Sequence, residues 1–464
     1  MPSENKKNKL FIVGLGPGAR EKMTHQALKA LREADAIVGY RPYLEMISDL
    51  LAGKMVESSS MGKEVDRVKA AVDRLDEGSV ALVSSGDPNI YGMAGLGLEM
   101  AGDAARVEVV PGVTSFTAAA CRAGIVFRDA VVVISLSDLL TPWSEIEARL
   151  KLAGEMNLPV AIYNPKSRRR DWQMKRALEI LGPDKDVLVA RNVARPGEET
   201  TWTRARDLLE DRGPEVDMFT LLIVSGRGMT WAQTFQDAVI NIVGIGPGGH
   251  EWLTLEAEDT LRNSAKIFGA GRYLESVKDV IGRETVGHPG TYEERMAARI
   301  KDAKASADQG EKVSLLTGGD PSTFSSAHRY LRSGMKARIC PGISAFSAVA
   351  AKAGAPLVND FVLTSEADAS RIERLAGAGF GVVIYNIEGS RLQPILEILD
   401  PSRPCVLARD VSREGEVIMA MTTSEMKEAH PNGHRFTLLV TSNNSYIKSG
   451  RVVTRRGYEA KYSY

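Results

Sequence analysis

A chain of 464 residues that is 44% hydrophobic and 25% charged can bury several full cores, which excludes a disordered or fibrous protein. Its 59 Lys and Arg balance 59 Asp and Glu, so it lacks the basic excess with which a dedicated nucleic-acid binder neutralises phosphates. Cys121, Cys340 and Cys405 form no CxxC pair and read as inert buried thiols, which suits a reducing compartment better than a disulfide framework.

Residues 1–9 are polar and basic, and the apolar run after them, 10–13, is too short for a signal segment or a membrane span. The expectation is a cytoplasmic protein with neither membrane nor nucleic acid as partner. That run reads as a strand ending at glycine. Residues 24–33 follow with helical spacing, placing Ala27, Leu28 and Leu31 on one face. Next come a short strand at 36–38, a helix at 65–75 and a strand at 80–83 stopped by Ser-Ser-Gly-Asp-Pro. A strand at 107–110 leads into a Ser/Thr/Ala-rich helix from Thr114. Further strands at 131–134, 160–163, 187–190 and 220–224 alternate with helices, and a helical linker is expected near 229–238. Apolar strands separated by helices indicate an α/β fold.

The order then starts again. FIVGLGPG at 11–18 recurs as IVGIGPG at 242–248, SGDP at 85–88 as GGDP at 318–321, and VPGVT at 110–114 as CPGIS at 340–344. IYN at 162–164 returns at 384–386, Ala190-Arg191 as Ala408-Arg409, and FTLL at 219–222 at 436–439. Landmarks recurring in one order at a spacing near 230 imply duplication. The expected domains are 9–233 and 234–464, each with two α/β subdomains, parting near 125–130 and 355–360.

Gly14, Gly16 and Gly18 sit on a glycine loop after a strand, where backbone N–H groups can approach a ligand closely. A dinucleotide site also needs an acidic residue ending the second strand. Asp35 precedes its strand and Lys266 holds the equivalent place in the second copy, so that reading is disfavoured. A plain tight turn remains the alternative for the loop taken alone, and a capping aspartate for Asp87.

Taken together, the glycine loop, the S-G-D-P turn, the V-P-G-[VI]-[ST] turn and the Tyr-Asn strand end resemble the tetrapyrrole (corrin/porphyrin) methylase family over nearly the whole chain. The resemblance implies two tandem methylase-like units, each with S-adenosylmethionine in a cleft between its subdomains. It places Asp87 and its neighbouring backbone at the cofactor, with Gly14, Gly16, Pro17, Gly18, Ser85, Gly86, Ile90, Thr114, Ser115, Asn164 and Ala194 nearby. Pro247, Gly319 and Asp320 are their counterparts in the second copy. The first copy narrows further. The run from Ser84 to Ala94, Gly39-Tyr40, the stretch from Ser135 to Trp143, and Tyr163-Asn164-Pro165-Lys166-Ser167 resemble C17-methyltransferases acting on precorrin-3B or cobalt-factor III. Asn89 and Arg128-Asp129-Ala130 depart from that type. The second copy loses these strings but keeps Asn359-Asp360-Phe361 and Arg456-Gly457-Tyr458.

The resemblance implies methyl transfer to C17 of a tetrapyrrole with ring contraction. A methyl sulfonium is already electrophilic, so alignment matters more than a protein nucleophile. Many substrate carboxylates would suit Lys166, Arg168, Arg169 and Arg170, a run whose plain alternative is a solvated helix start; Arg41 and Arg67 are weaker candidates. Proton movement points to Asp138, Glu64 and Tyr91 as acid/base groups, with capping the plainer reading of Glu64. No HxxxH, HExxH or Cys/His cluster is present, so no protein-bound metal is expected. Methylation of another precorrin carbon or of RNA, and a non-catalytic tetrapyrrole carrier, are the competing readings. The copies are expected to pack as an intramolecular pseudo-dimer.

Overall fold

The computed structural model describes residues 8–167 and 170–462. The first ~110 residues build a parallel five-stranded sheet in the order Met55–Ser59, Ala36–Tyr40, Val80–Ser84, Leu10–Gly14, Val107–Val110. Its inner strands are buried throughout, as parallel sheets flanked by helices require. The second copy repeats the sheet as Glu284–Val286, Lys266–Phe268, Val313–Thr317, Ile240–Gly244, Ala337–Cys340.

The other half of each copy contributes to one mixed ten-stranded sheet. Strands of the first copy run inward to Ala130–Ser135, which pairs antiparallel with Phe361–Thr364 of the second. The register is that of a two-fold axis: Ala130 faces Thr364, and Val133 faces Phe361. Helices Ser115–Arg122 and Ala345–Ala353 repeat the symmetry, stacking Phe116 on Phe346 with ring centroids 6.4 Å apart. The duplicated units thus share two apolar clusters across the seam, one on each face of the ten-stranded sheet.

The expected helical linker is corrected. Met229–Trp231 is a strand pairing with Ile125–Phe127, and residues 232–239 follow without a helix. Trp231 stacks on Trp202 at 5.1 Å, and Phe235 N donates to Ala337 O (3.0 Å), so this stretch lies along the edge of the second copy's parallel sheet. These pairings outweigh helical periodicity that no apolar face here would reward. The edge strands Met55–Ser59 and Glu199–Arg204, half-exposed and polar, were not expected from the sequence. No helix among the described residues is long and apolar enough to cross a membrane.

Candidate functional site

The three turns leave the carboxyl ends of adjacent parallel strands, the usual ligand edge of such sheets. They are zipped together. Gly16 N donates to Gly86 O (3.2 Å), Gly86 N to Gly16 O (2.7 Å) and Leu15 N to Ser84 O (2.9 Å). A Cβ on Gly14 would lie 2.5 Å from Gly112 N and 2.7 Å from Gly86 O, so only glycine lets the turns meet. The second copy repeats the arrangement at Gly244, 2.7 Å from Gly342 N and 2.8 Å from Gly319 O by the same measure.

Around this cradle, non-glycine residues adopt left-handed backbone at matching places in both copies: Tyr91 and Phe324, Asn164 and Asn386, Asn192 and Asp410, Ala194 and Ser412, with φ between 49° and 61°. Alanine and tyrosine hold such angles only when surrounding contacts enforce them, and this strain clusters at functional sites. Two groups to which the sequence assigned no role of their own tie the subdomains together. The Tyr163 hydroxyl bonds Thr114 Oγ1 (2.7 Å) and accepts from Phe116 N (3.1 Å), and burial raises its pKa. Arg195 donates from Nε to Pro17 O (2.7 Å) and from its guanidinium to Ser85 Oγ (2.8 Å), spanning the cleft mouth. The repeated Ala-Arg pair lies four residues before Arg195; nothing in composition marked Arg195 itself.

The carboxyl of Asp87 is buried where the turn meets the second copy. It is 1% exposed, accepts from Asn89 N (2.9 Å) and Nδ2 (2.8 Å), and faces Ser347 of the second copy. Burial pushes its pKa up to about 6. Asp320 mirrors it, accepting from Ser322 N (2.8 Å) and Gly342 N (3.1 Å) and facing Cys121 of the first copy, with its pKa also raised to about 6 by burial. Both carboxyls reach the seam between copies, and Asp320 also lines the second copy's cleft. Ile90 and Thr114 are buried beneath the turn, and Ser115 opens the seam helix.

The acid/base candidates scatter. The Tyr91 hydroxyl donates to Asp360 of the second copy (2.7 Å), and burial holds its pKa well above the usual value; its proton is committed to the seam. Asp360 also accepts from Ser135 N (3.0 Å) and pairs with Arg149 (3.0 Å). Glu64 accepts from Gly62 N (3.2 Å) at a helix start, a capping contact. Asp138 accepts from Gln173 (3.0 Å) and lies 3.9 Å from Arg170. Arg170 is itself occupied, donating to Leu136 O (2.8 Å) and Asn164 O (3.2 Å), so it braces the loop instead of offering a free cation. Lys166 is exposed, while Arg168 and Arg169 lie outside the described residues. Arg67 is 5% exposed and bonded to Ser59 and Ser60, whereas Arg41 is exposed.

The second copy's C-terminal segment lies over the first copy's site. The Arg456 guanidinium sits 4.9 Å above the Tyr91 ring. Arg455 donates to Glu99 (3.0 Å), Lys461 bonds Leu139 O, and Tyr458 packs on the first copy's sheet core. The second copy's own cleft is open. A cavity of about 240 Å³ touches Pro247, Gly319, Asp320, Tyr385, Asn386 and Arg413. It adjoins a chamber of about 640 Å³ lined by Arg272, Arg295, Arg299 and Arg435, with Phe324 on the wall of both.

The family described as "Tetrapyrrole (Corrin/Porphyrin) Methylases" matches residues 9–209 and again 239–427. A protein of Archaeoglobus fulgidus named "Cobalamin biosynthesis protein CbiHC" is 44% identical over 224 residues, 47% of this chain and 49% of that protein. A "Probable cobalt-factor III C(17)-methyltransferase" of Salmonella typhimurium is 39% identical over 232 residues, 48% of this chain and 95% of that one. The crystal structure of "the methyltransferase CobJ" is 35% identical, covering 47% of this chain and 95% of its own, with a TM-score of 0.44. The chain spans about half the length of the A. fulgidus relative and 42% of a Priestia megaterium "Cobalt-factor III methyltransferase".

Proposed function

The chain belongs to the tetrapyrrole (corrin/porphyrin) methylase family, and from that premise we propose that its first copy methylates C17 of precorrin-3B or cobalt-factor III, with ring contraction. One observation carries this reading: the Ser84–Ala94 run, which resembles the C17 enzymes, lies in the turn zipped to the glycine loop. S-adenosylmethionine would supply an electrophilic methyl group there. The cradle suits it, because the glycines leave room for close backbone approach and Arg195 and Tyr163 hold the subdomains at a fixed gap. Residues on this chain position and enclose; Lys166 and Arg456 offer cations for substrate carboxylates.

The test is to offer purified full-length protein methyl-labelled S-adenosylmethionine with precorrin-3B and cobalt-factor III side by side. Label at C17 of a ring-contracted product is expected; label at another carbon, or none from either substrate, overturns the proposal. A second reading concerns the second copy. Its open cleft and four-arginine chamber favour a tetrapyrrole site of its own. Calorimetry should then find two S-adenosylmethionine equivalents per chain; one equivalent would leave the second copy as support alone.

A further inference from the structure

The copies meet a second time, just beyond the two glycine loops. Residues 23–25 run antiparallel to 253–255: His25 N donates to Leu253 O (3.1 Å), Leu255 N to Met23 O (3.0 Å), and Thr24 bridges to Thr254. Both threonines are buried and cap their helices through Ala27 N and Ala257 N, each at 3.1 Å. This rigid crossing places His25 at the start of helix His25–Glu33. Glu258 stands one turn into helix Leu255–Arg262, and His250 opens the short 3₁₀ turn before it.

The three side chains converge. His250 Nε2 lies 3.0 Å from Glu258 Oε2, and His25 Nε2 is in contact with the same oxygen. The imidazole centroids are only 4.1 Å apart. One ligand atom from each of the three falls within 4.8 Å of the others. His25 Nε2 is buried, and the Glu258 oxygen beside it does not meet it with hydrogen-bond geometry. Two imidazole nitrogens and a carboxylate oxygen crowded together in this way are the donor set a shared cation would satisfy. On the far side Arg262 donates to Glu258 Oε1 (2.7 Å), orienting the carboxylate as outer-shell partners of metal ligands do.

We propose that His25, His250 and Glu258 form a binding site for a divalent transition metal such as zinc or cobalt, fastening the two copies together. Two imidazoles and one carboxylate suit a borderline-soft divalent ion, and three protein ligands leave a position for water. An ion here relieves the crowding of two imidazoles around one carboxylate oxygen. The site needs both copies, because His25 belongs to the first, and His250 and Glu258 to the second. None of the three ligands lines either cavity of the second copy, and the site is read out by metal binding instead of methyl transfer.

The test uses the full chain, stripped with a chelator, and cobalt(II) alone as the probe. One equivalent should bind, with visible ligand-field bands, and the ion should raise the thermal midpoint. His25→Ala and Glu258→Gln should each weaken binding by on the order of 100-fold or more and abolish the thermal shift, while His430→Ala, at an exposed histidine elsewhere, should do neither. His250 is exposed, so His250→Ala decides the matter if His25→Ala fails to fold. Wild-type protein that takes up no stoichiometric metal, or a His250→Ala variant that binds it as tightly as wild type, overturns the proposal.

Discussion

The two clefts share a frame and differ in what covers them. Over the first lies the segment 455–462 of the second copy, with Arg456 on the Tyr91 ring. Over the second lies no such segment among the described residues, because the corresponding stretch of the first copy has become the connection between copies, with Phe235 bonded along Ala337. Arg195 ties the first cleft's mouth shut across Pro17 and Ser85; its counterpart Arg413 lies against Gly248 and over the Tyr273 ring at 5.7 Å, and the second cleft is open. Fusion thus made a symmetric pair unequal: one chain end was consumed as linker, so only one site can be covered by a neighbour's tail.

The seam offers the largest test of that inequality. Asp360 is 5% exposed, pairs with Arg149 and accepts from Tyr91. Asp129, its counterpart, is more exposed, and Phe324 has no hydroxyl to offer it. Asp360→Asn removes the buried carboxylate from Arg149, leaving it only the half-exposed Glu145 and the Ala378 carbonyl, and should cost about 3 kcal/mol in chemical denaturation, whereas Asp129→Asn should cost less than about 1 kcal/mol. Equal losses would show that the seam is symmetric in energy as well as in shape.

The cradle comes next. Gly14→Ala drives a Cβ into backbone at Gly112 and Gly86, which cannot move aside as a side chain can. C17 methylation should fall on the order of 100-fold. Gly244→Ala meets the same obstruction in the second copy and should leave that activity intact. A matching loss in both variants would mean that the copies do not act separately.

Smaller still is a pH effect carried by the buried carboxyls. Asp87 and Asp320 each have a folded pKa of about 6, above the ordinary 3.8, so the folded state holds their protons more tightly than the unfolded chain. Their contribution to stability is complete below the unfolded value and is lost as pH rises through about 6. Asp87→Asn removes the charge that burial penalises, so its stability relative to wild type should improve between pH 4 and pH 7, by on the order of 2 kcal/mol. Denaturation curves across that range check it, and a difference that does not change with pH would show that Asp87 ionises as freely folded as unfolded.

Much of this was legible in the sequence, and the limits have physical causes. The repeat, the inner strands and the turns at Gly14, Gly86 and Gly112 were readable because continuous apolar runs and glycine loops are local signals. Residues 229–238 were misread because their strand exists only through its partner at Ile125–Phe127. Tyr91 and Asp87 stood in recognisable strings, but strings do not say which way a side chain points; both face the other copy. Arg195, Tyr163 and the His25–His250–Glu258 group depend on contacts across subdomains or copies, where sequence spacing carries no information.

The smallest expected effect bears most directly on why the copies stay joined. Arg456 has no ion-pair partner among the described residues and rests on an aromatic ring instead. Phe324, the counterpart of that ring, lines both cavities of the second copy, so the equivalent position in the first copy is a wall of the substrate side. A half-buried guanidinium left without an anion on such a wall is suited to a substrate carboxylate. Arg456→Ala should therefore raise KM for the tetrapyrrole by about tenfold and leave kcat little changed, since the interaction is made in ground and transition states alike. Arg456→Lys, which keeps the charge but not the fork, should recover part of the loss. Arg435, in the second copy's chamber, supplies the contrast: Arg435→Ala should leave KM for C17 methylation unmoved. If Arg456→Ala lowers kcat and stability together with no change in KM, the segment acts as a strap holding the fold, and the first site owes nothing to its neighbour's charge.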